Sequence, residues 1–385
     1  MKVGIVTFFQ DHNVGTCLQA YALQETLTAL GHNVDIINYV HDEIQSNHQK
    51  FKKIKHAFGI AMTYGNKKIL YYKKFKESDR LTYKSFKKFQ INRYNLSGNQ
   101  IDEYKKLVDI SLEYDAFVCG SDMIWAPKLN IDYRVYFLQF CSRQKRVAYA
   151  PSFGTDEIDN IYKEKIKNYI TDIPYLSCRE INGVKLIKNK FGKDAQFVLD
   201  PTQLIPKEKW ITKFNLSLRK DDKYILCYLF PSDYNSWYNK IVKQVEGLYE
   251  ANIRYIPIGR NQHYEDIMFG VQGYGPEEFL NLIMGAEFVI TNSYHGFMFS
   301  LIFEKPFCIL RRNKNLFWSQ YEDRFDSMLE LINYKRAILD LNDNLPEELM
   351  NPNYYVINHE LEKLRKSSLE FLNRSLFDID SKGKK

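Results

Sequence analysis

The chain opens on a strand–helix–strand cadence, and that cadence limits the possible folds more than any other feature. Lys2 to Phe8 (KVGIVTF) is a short, apolar, β-branched run of the kind that is buried on both faces in a parallel sheet. A polar loop, Gln10 to Gly15, follows. Thr16 to Leu30 then repeats apolar residues at helical spacing through Leu18, Tyr21, Ala22, Leu27 and Leu30, and Gly31 stops it. Val34 to Tyr39 predicts the next strand. Two parallel strands joined through a helix form the first unit of a doubly wound α/β sheet. Further strands are predicted at Ala116–Cys119, Arg146–Ala150, Tyr175–Cys178 and Gln196–Leu199, where Asp200-Pro201 closes the series.

A second series starts near Lys223. It predicts strands at Tyr224–Phe230, Arg254–Ile258, Phe288–Thr291 and Pro306–Leu310, with helices at Trp237–Tyr249, Glu277–Met284 and His295–Phe303. At 385 residues the chain is longer than one hydrophobic core usually serves. The break falls between about 205 and 222, at Pro206 and the charged stretch Arg219–Lys223. The expected organisation is an N-terminal Rossmann-like domain over 1–215 and a C-terminal one over 216–345. A helical segment over 346–376 follows, with a helix from His359 to Leu376 packing back on the first domain, and then a disordered tail over 377–385. The expected fold class is α/β, two Rossmann-like domains facing across a cleft, with ligands bound beyond the carboxyl ends of the strands.

Residues about 41–110 interrupt the first series with a lysine-rich, helical insertion in the N-terminal domain, the domain expected to form the acceptor side of the cleft. Phe51, Ile54 and Phe58 share one stripe, flanked by Lys50, Lys52, Lys53 and Lys55, and Ile69, Leu70, Tyr71, Tyr72 and Phe75 continue the apolar pattern. Such a helix either covers the core with a solvated face or lies on an anionic membrane, where each basic residue contributes about 1 kcal/mol. The formal net charge of +7 permits anionic ligands or headgroups without demanding a polyanion, and no nucleic-acid partner is expected. The six cysteines include no C-x-x-C pair, and none of the eight histidines pairs with Cys or acids at zinc spacing. Reduced structural thiols and no metal site are expected. Met1 to Phe9 lacks a signal peptide's basic start, and no apolar stretch approaches the ~20 residues of a membrane span. The expected location is cytoplasmic, peripheral on the inner membrane face if the insertion binds lipid.

Several strand-end motifs occur in order. Asn13-Val14-Gly15-Thr16 leads into Leu18-Gln19-Ala20-Tyr21-Ala22-Leu23. Gly120-Ser121-Asp122 precedes Trp125. Then come Tyr149-Ala150-Pro151-Ser152-Phe153-Gly154, Arg179-Glu180 and Leu199-Asp200-Pro201-Thr202. The second series supplies Thr291-Asn292-Ser293-Tyr294-His295-Gly296, Ser300 and Glu304-Lys305-Pro306-Phe307. Taken together, from residue 1 to about 340, this set resembles the polysaccharide pyruvyl transferase family. The resemblance implies a GT-B-like fold and transfer of pyruvate from phosphoenolpyruvate to a sugar, as a cyclic ketal across two hydroxyls. It also implies an acceptor that is a sugar or lipid-linked oligosaccharide of a bacterial capsule, exopolysaccharide or cell-wall polymer. Phosphoenolpyruvate would be a co-substrate, with no cofactor. Some family members carry an Arg two residues before the histidine of the His-Gly motif, where this chain has Ser293.

Ketal formation needs an acid for the methylene carbon, cations for the donor's carboxylate and phosphate, and a base for the attacking hydroxyl. His295, where a strand turns into a helix at the cleft, is the candidate acid/base, because imidazole titrates near neutrality. Otherwise it is a helix-start histidine bonded to structure. Gly296 would let a ligand approach the backbone, and Ser293 is placed with it at the donor. Arg179, at a strand end, suits a carboxylate or phosphate, or else an ion pair with Glu180. Lys305, with Arg311 and Arg312 in reserve, would supply the phosphate charge that Ser293 does not, unless it is a solvated loop lysine. Asn13, Gly15 and Thr16 open the first helix on the acceptor side, where free amides suit an anion and Asn13 also suits a simple cap. Ser121, Asp122 and Trp125 complete the acceptor side, with Asp122 as hydroxyl ligand or catalytic base and Trp125 as a stacking face, or else as cap and core.

Two other functions share this fold. One is a GT-B glycosyltransferase using a nucleotide sugar, and the other is a sugar-binding relative without chemistry. Neither G-x-x-x-x-G-K-[ST] nor G-x-G-x-x-G occurs, which disfavours a nucleoside-triphosphate or NAD enzyme.

Overall fold

In the computed structural model the apolar run after Met1 becomes β1 (Lys2–Val6), with Val3 and Ile5 fully buried. The structure describes residues 1–10, 12–40, 67–217, 223–230, 236–257, 273–312 and 323–383. The stripe at Phe51, Ile54 and Phe58, the lysines beside it and most of the Arg219–Lys223 break lie outside the described residues.

The first series forms a six-stranded, all-parallel sheet in the order β2-β1-β3-β4-β5-β6. Its strands are β1, β2 (Asn33–Ile36), β3 (Ala116–Cys119), β4 (Arg146–Ala148), β5 (Tyr175–Cys178) and β6 (Gln196–Phe197). The helices of this half are α1 (Val14–Ala29), α2 (Lys67–Arg93), α3 (Tyr104–Ile110), α4 (Tyr133–Tyr136), α5 (Asn160–Thr171), α6 (Ile181–Phe191) and α7 (Lys207–Phe214). The second series forms a five-stranded parallel sheet, β11-β10-β9-β7-β8. It comprises β7 (Tyr224–Leu229), β8 (Asn252–Pro257), β9 (Phe288–Thr291), β10 (Phe307–Leu310) and β11 (Ile338–Leu339), with α8 (Ser236–Tyr249), α9 (Pro276–Gly285), α10 (Tyr294–Ile302) and α11 (Asp323–Leu331). The order in which strands are added switches sides between β1 and β3 in one sheet and between β7 and β9 in the other. Those two switch points face each other, in a GT-B-like arrangement.

One apolar core covers the α1 face of the first sheet and runs without a break into the second domain. Trp210 on α7, fully buried, lies between them, stacked on Phe214 and edge-on to Phe299 of α10. A second core fills the opposite face of the first sheet beneath α5 and α6. The described part of the insertion helix α2 packs inward through Phe86 and Phe89, leaving Lys84, Lys87 and Lys88 exposed. Its end also grips the second domain, where Arg93 donates from Nε and Nη2 to Glu277 Oε1 at 3.0 and 2.8 Å.

The last helix, α12 (Tyr354–Gly383), ties the domains together. At its start the Tyr354 hydroxyl donates to the Lys305 carbonyl at 2.6 Å and Asn358 Nδ2 to Glu304 Oε1 at 2.7 Å. Further along, Arg365 Nε donates to the Gln203 carbonyl at 2.8 Å, and Ser368 Oγ accepts from the Leu199 amide at 2.9 Å. The helix runs through Gly383, where the sequence predicted disorder after 376, because the buried stripe Phe371, Leu372, Leu376 continues to Ile379. Among the described residues no helix is long and apolar enough to cross a membrane.

Candidate functional site

The site grows from the first turn of α1. Asn13 caps that helix, its Oδ1 accepting from the Gly15 and Thr16 amides at 2.9 and 3.3 Å. Those two amides are therefore not open to an anion, and Asn13 acts as the cap. Gly15 lies flat against His295: a Cβ at residue 15 would stand 2.0 Å from the imidazole Nδ1. Only glycine lets the amino ends of α1 and α10 touch here. Thr16 Oγ1 donates to Asp122 Oδ2 at 2.6 Å, while the Met123 amide donates to Asp122 Oδ1 at 2.8 Å. Asp122 holds a left-handed backbone, φ 69°, which Asp tolerates better than most residues. Its side chain is 13% exposed, the most open carboxylate of the cluster.

Beneath this rim lies a buried charge network. Arg179, just past β5, donates from Nη1 to Asp200 Oδ2 at 2.8 Å and to Ser121 Oγ at 3.3 Å, and from Nε to Glu180 Oε1 at 3.3 Å. Its Nη2 has no hydrogen-bond partner and stands 3.7 Å from Asp122 Oδ1. Glu180 also accepts a short hydrogen bond from the Ser152 hydroxyl and a longer one, 3.2 Å, from the Cys178 thiol. Asp200 is 1% exposed. Its Oδ1 accepts from the Thr202 amide and hydroxyl at 3.1 and 2.8 Å. His295 Nε2 sits 3.7 Å from Asp200 Oδ2, an ion-pair separation rather than a hydrogen bond, and has no other partner. Burial alone would raise the Asp200 pKa, but the His295 imidazole, the Arg179 guanidinium and the Thr202 amide outweigh it and hold it well below the carboxylate range. Arg179 is likewise opposed by burial, yet Asp200, Tyr294, Glu180 and Asp122 keep it firmly charged.

The second domain contributes cations and a ring. His295 lies in the first turn of α10, beyond the carboxyl end of β9, and is 8% exposed. Beside it, the Tyr294 ring carries the Arg179 guanidinium 4.6 Å from its centroid and that of Arg324, from α11, at 5.2 Å. Arg312, just past β10, is buried with its guanidinium over the Phe230 ring.

Of the residues singled out in the sequence, the structure gathers Gly15, Thr16, Ser121, Asp122, Arg179 and His295 around Asp200. Four expectations change. Trp125 is fully buried, stacked on Phe137 at 4.6 Å with its Nε1 donating to the Tyr136 carbonyl, so it has no face for a sugar. Ser121 is also fully buried, its hydroxyl within 2.9 Å of the Ala150 carbonyl and 3.0 Å of Asp200 Oδ2, so it braces the network instead of meeting an acceptor. Gly296 serves packing: a Cβ there would meet Thr291 Oγ1 at 2.3 Å and the Tyr228 ring at 2.9 Å, not a ligand. Lys305 sits at the wrong edge. It follows α10 and precedes β10, so a nine-residue helix of ~13 Å separates it from His295. Burial lowers its pKa and Glu287, at the same amino edge, opposes that. Ser293 keeps its place before Tyr294, its amide donating to Thr291 Oγ1 at 3.0 Å. Arg311 is engaged by Asp326 and Asp340.

Sequence reasoning assigned no role to Asp200, Tyr294 or Arg324, and gave Glu180 only as an alternative partner of Arg179, which the structure shows. Asp200 carried a usable signal, an acid at the closing end of a strand series. Arg324 carried none, because its role depends on neighbours from both domains.

A sequence model described as polysaccharide pyruvyl transferase matches residues 13–314. No protein of curated function matches the sequence. Solved structures with a similar course of chain include a UDP-GlcNAc 2-epimerase from Neisseria meningitidis bound to UDP-GlcNAc, with 11% identity, 97% of this chain and 99% of that one covered, and a TM-score of 0.46. A UDP-GlcNAc 2-epimerase from Methanocaldococcus jannaschii gives 16% identity, coverage of 95% and 94%, and a TM-score of 0.45. A glycosyltransferase from Rickettsia africae gives 14%, 99% and 96%, and 0.44.

Proposed function

This chain belongs to the polysaccharide pyruvyl transferase family, and from that premise we propose that it transfers pyruvate from phosphoenolpyruvate to two hydroxyls of a surface-polysaccharide sugar. The observation that carries the reading is the placement of His295, poised over the buried Asp200 and Arg179 at the meeting of the two switch points.

In the proposed reaction the His295 imidazolium gives a proton to the methylene carbon of the donor, which becomes the ketal methyl. The adjacent carbon, now cationic, is attacked by one sugar hydroxyl, and Asp122 accepts that hydroxyl's proton. The C–O bond to phosphate breaks and inorganic phosphate departs. The second hydroxyl closes the ring and loses its proton, so one proton ends on carbon and one on the phosphate. His295 and Arg179 together keep Asp200 ionised through the cycle, a fixed negative charge beside the imidazole. Asp122 suits the base because it is the open carboxylate of the cluster, with Thr16 fixing one of its oxygens. The acceptor is a sugar or a lipid-linked oligosaccharide. Residues 50–76, whose side chains lie outside the described residues, are the candidate contact with an anionic membrane that would present such an acceptor.

Run in heavy water over a panel of galactoside and mannoside acceptors, the reaction should place deuterium in the ketal methyl and release one phosphate per ketal. His295→Asn should abolish this while circular dichroism and melting stay native. A folded His295→Asn that retains turnover removes His295 from the mechanism. Consumption of a nucleotide sugar, with no acceptor-dependent phosphate release from phosphoenolpyruvate, would overturn the reading in favour of glycosyl transfer.

A further inference from the structure

Among the described residues, Arg324 is a cation of the cleft with no carboxylate paired to it. Arg179 is ringed by Asp200, Glu180 and Asp122, and Arg311 is held by Asp326 and Asp340. Arg324 has no such partner. Among the described residues it makes no ion pair, and its Nε is shut off from water with no hydrogen bond. Its one polar contact is Nη1 to the Met123 thioether at 3.5 Å, a weak acceptor. Its guanidinium rests near the rings of Tyr294 and Phe325, at 5.2 and 5.5 Å from their centroids. A half-buried guanidinium whose Nε is shut off from water, with no anion beside it, is an unfavourable arrangement in a protein acting alone.

The surroundings sharpen this. Burial first, then the Arg179 charge and to a smaller degree that of Arg312, lower the pKa of Arg324 to about 10 against the opposing pull of Glu180 and Tyr294. Three guanidiniums therefore act on one region, and the ion pairs of its carboxylates among the described residues go to Arg179 and His295, not to Arg324. A doubly charged ligand gains more from several nearby cations than a singly charged one. Arg324 also bridges the two halves of the site. It belongs to α11 of the second domain, touches Met123 beside Asp122 in the first, and shares the Tyr294 ring with Arg179. Its planar fork suits phosphate oxygens.

We propose that Arg324 is the phosphate-binding residue of this cleft and takes the phosphate group of the donor. The assignment deepens the reading given above. It rests on that reading for the identity of the donor, and on the unpaired guanidinium for the anion site itself.

Calorimetric titration and thermal shift on the full chain test it, with inorganic phosphate, phosphoenolpyruvate and a nucleoside diphosphate as probes at matched ionic strength. Chloride is the control. The wild-type protein should bind phosphate-bearing probes and be stabilised by them. Arg324→Gln, with native circular dichroism, should weaken that binding at least tenfold, and Arg324→Lys should weaken it less, because a point charge replaces the fork. If Arg324→Gln does not fold, Arg324→Lys decides alone, and wild-type affinity in that variant refutes the assignment. Wild-type affinity in folded Arg324→Gln also refutes it, as does failure of the wild-type protein to bind any of the three probes. Phosphate binding that depends on Arg324 without any pyruvyl transfer would sustain the site and sink the donor reading. Tight binding of the nucleoside diphosphate alone would move the site to a nucleotide-linked donor and refute its assignment to phosphoenolpyruvate.

Discussion

Replacing Asp200 by Asn keeps the shape of the side chain and removes the charge on which the buried network turns. Arg179 and Asp200 both have fully buried side chains 2.8 Å apart. Removing one partner of such a pair leaves the other charge uncompensated, at about 3–5 kcal/mol. Asn also carries one oxygen where Asp has two. Whichever way the amide turns, its NH2 meets a donor, either Arg179 Nη1 or the Thr202 amide. Glu180 at 3.3 Å remains to Arg179 and limits the loss, so the lower half of the range is expected. At about 2–4 °C per kcal/mol for a domain of this size, melting should fall by roughly 6–16 °C. The pH dependence follows from the sign of the shift. The folded pKa of Asp200 is depressed below its unfolded value of about 3.9. Its stabilisation is therefore fully present above pH ~4 and lost as pH falls through the folded value. Urea unfolding at pH 7 and again at strongly acid pH should show the gap between wild type and variant closing only at the acid end. A loss under 1 kcal/mol at pH 7, or a gap that closes between pH 5 and 8, would refute this account of the network.

Three further outcomes follow from contacts on either side of that network. Gly15→Ala drives a methyl to within 2.0 Å of the imidazole, so turnover should fall about 100-fold and stability by about 1–3 kcal/mol; wild-type kcat in that variant would show that His295 does not need its present seat. Lys305→Ala should leave the Michaelis constant for the donor unchanged, since the residue lies across α10 from the cleft; a tenfold rise would restore it to the site. Trp125→Ala should lower stability by about 3–5 kcal/mol and leave the acceptor's Michaelis constant within twofold in whatever fraction folds; a selective rise in that constant would return it to the acceptor.

The strands were legible because parallel strands covered on both sides must be continuously apolar, and Ala116–Cys119, Tyr175–Cys178 and Phe288–Thr291 stand where their composition put them. The ends were less so. Arg146–Ala150 shortens to Ala148 because Ala150 turns left-handed, φ 55°, to bring its carbonyl to Ser121, a pairing no local pattern announces. His295 could be found because a titratable side chain at a strand end is rare enough to notice. Trp125 could not be told from a sugar platform, since core and cleft aromatics read alike until packing is known. Lys305 could have been placed correctly: a residue after a helix and before a strand of a parallel sheet lies at the amino edge, away from the ligand side. Asp200 depends on His295, which is distant in sequence and in the other domain, so its depressed pKa is a property of the assembled cleft.

The distribution of charge between the two domains orders the proposed reaction. The first domain brings the carboxylates, Asp122, Glu180 and Asp200, with Arg179 embedded among them. The second brings His295, Arg312 and Arg324. An anionic donor entering between them is repelled by the exposed edge at Asp122 and drawn to the guanidinium that lacks a partner. A neutral sugar has the opposite preference, because its hydroxyls can donate to a carboxylate without desolvating a charge of their own. In the proposed reaction the two substrates therefore sort to opposite walls, with the reacting carbon between Asp122 and His295. Only where the walls touch, at Gly15 against His295, can one imidazole serve the donor while keeping Asp200 as its counter-ion. On the proposed mechanism, that is why a glycine stands in the first turn of α1 against a histidine in the first turn of α10: a larger residue at 15 would hold the walls apart and separate His295 from Asp200.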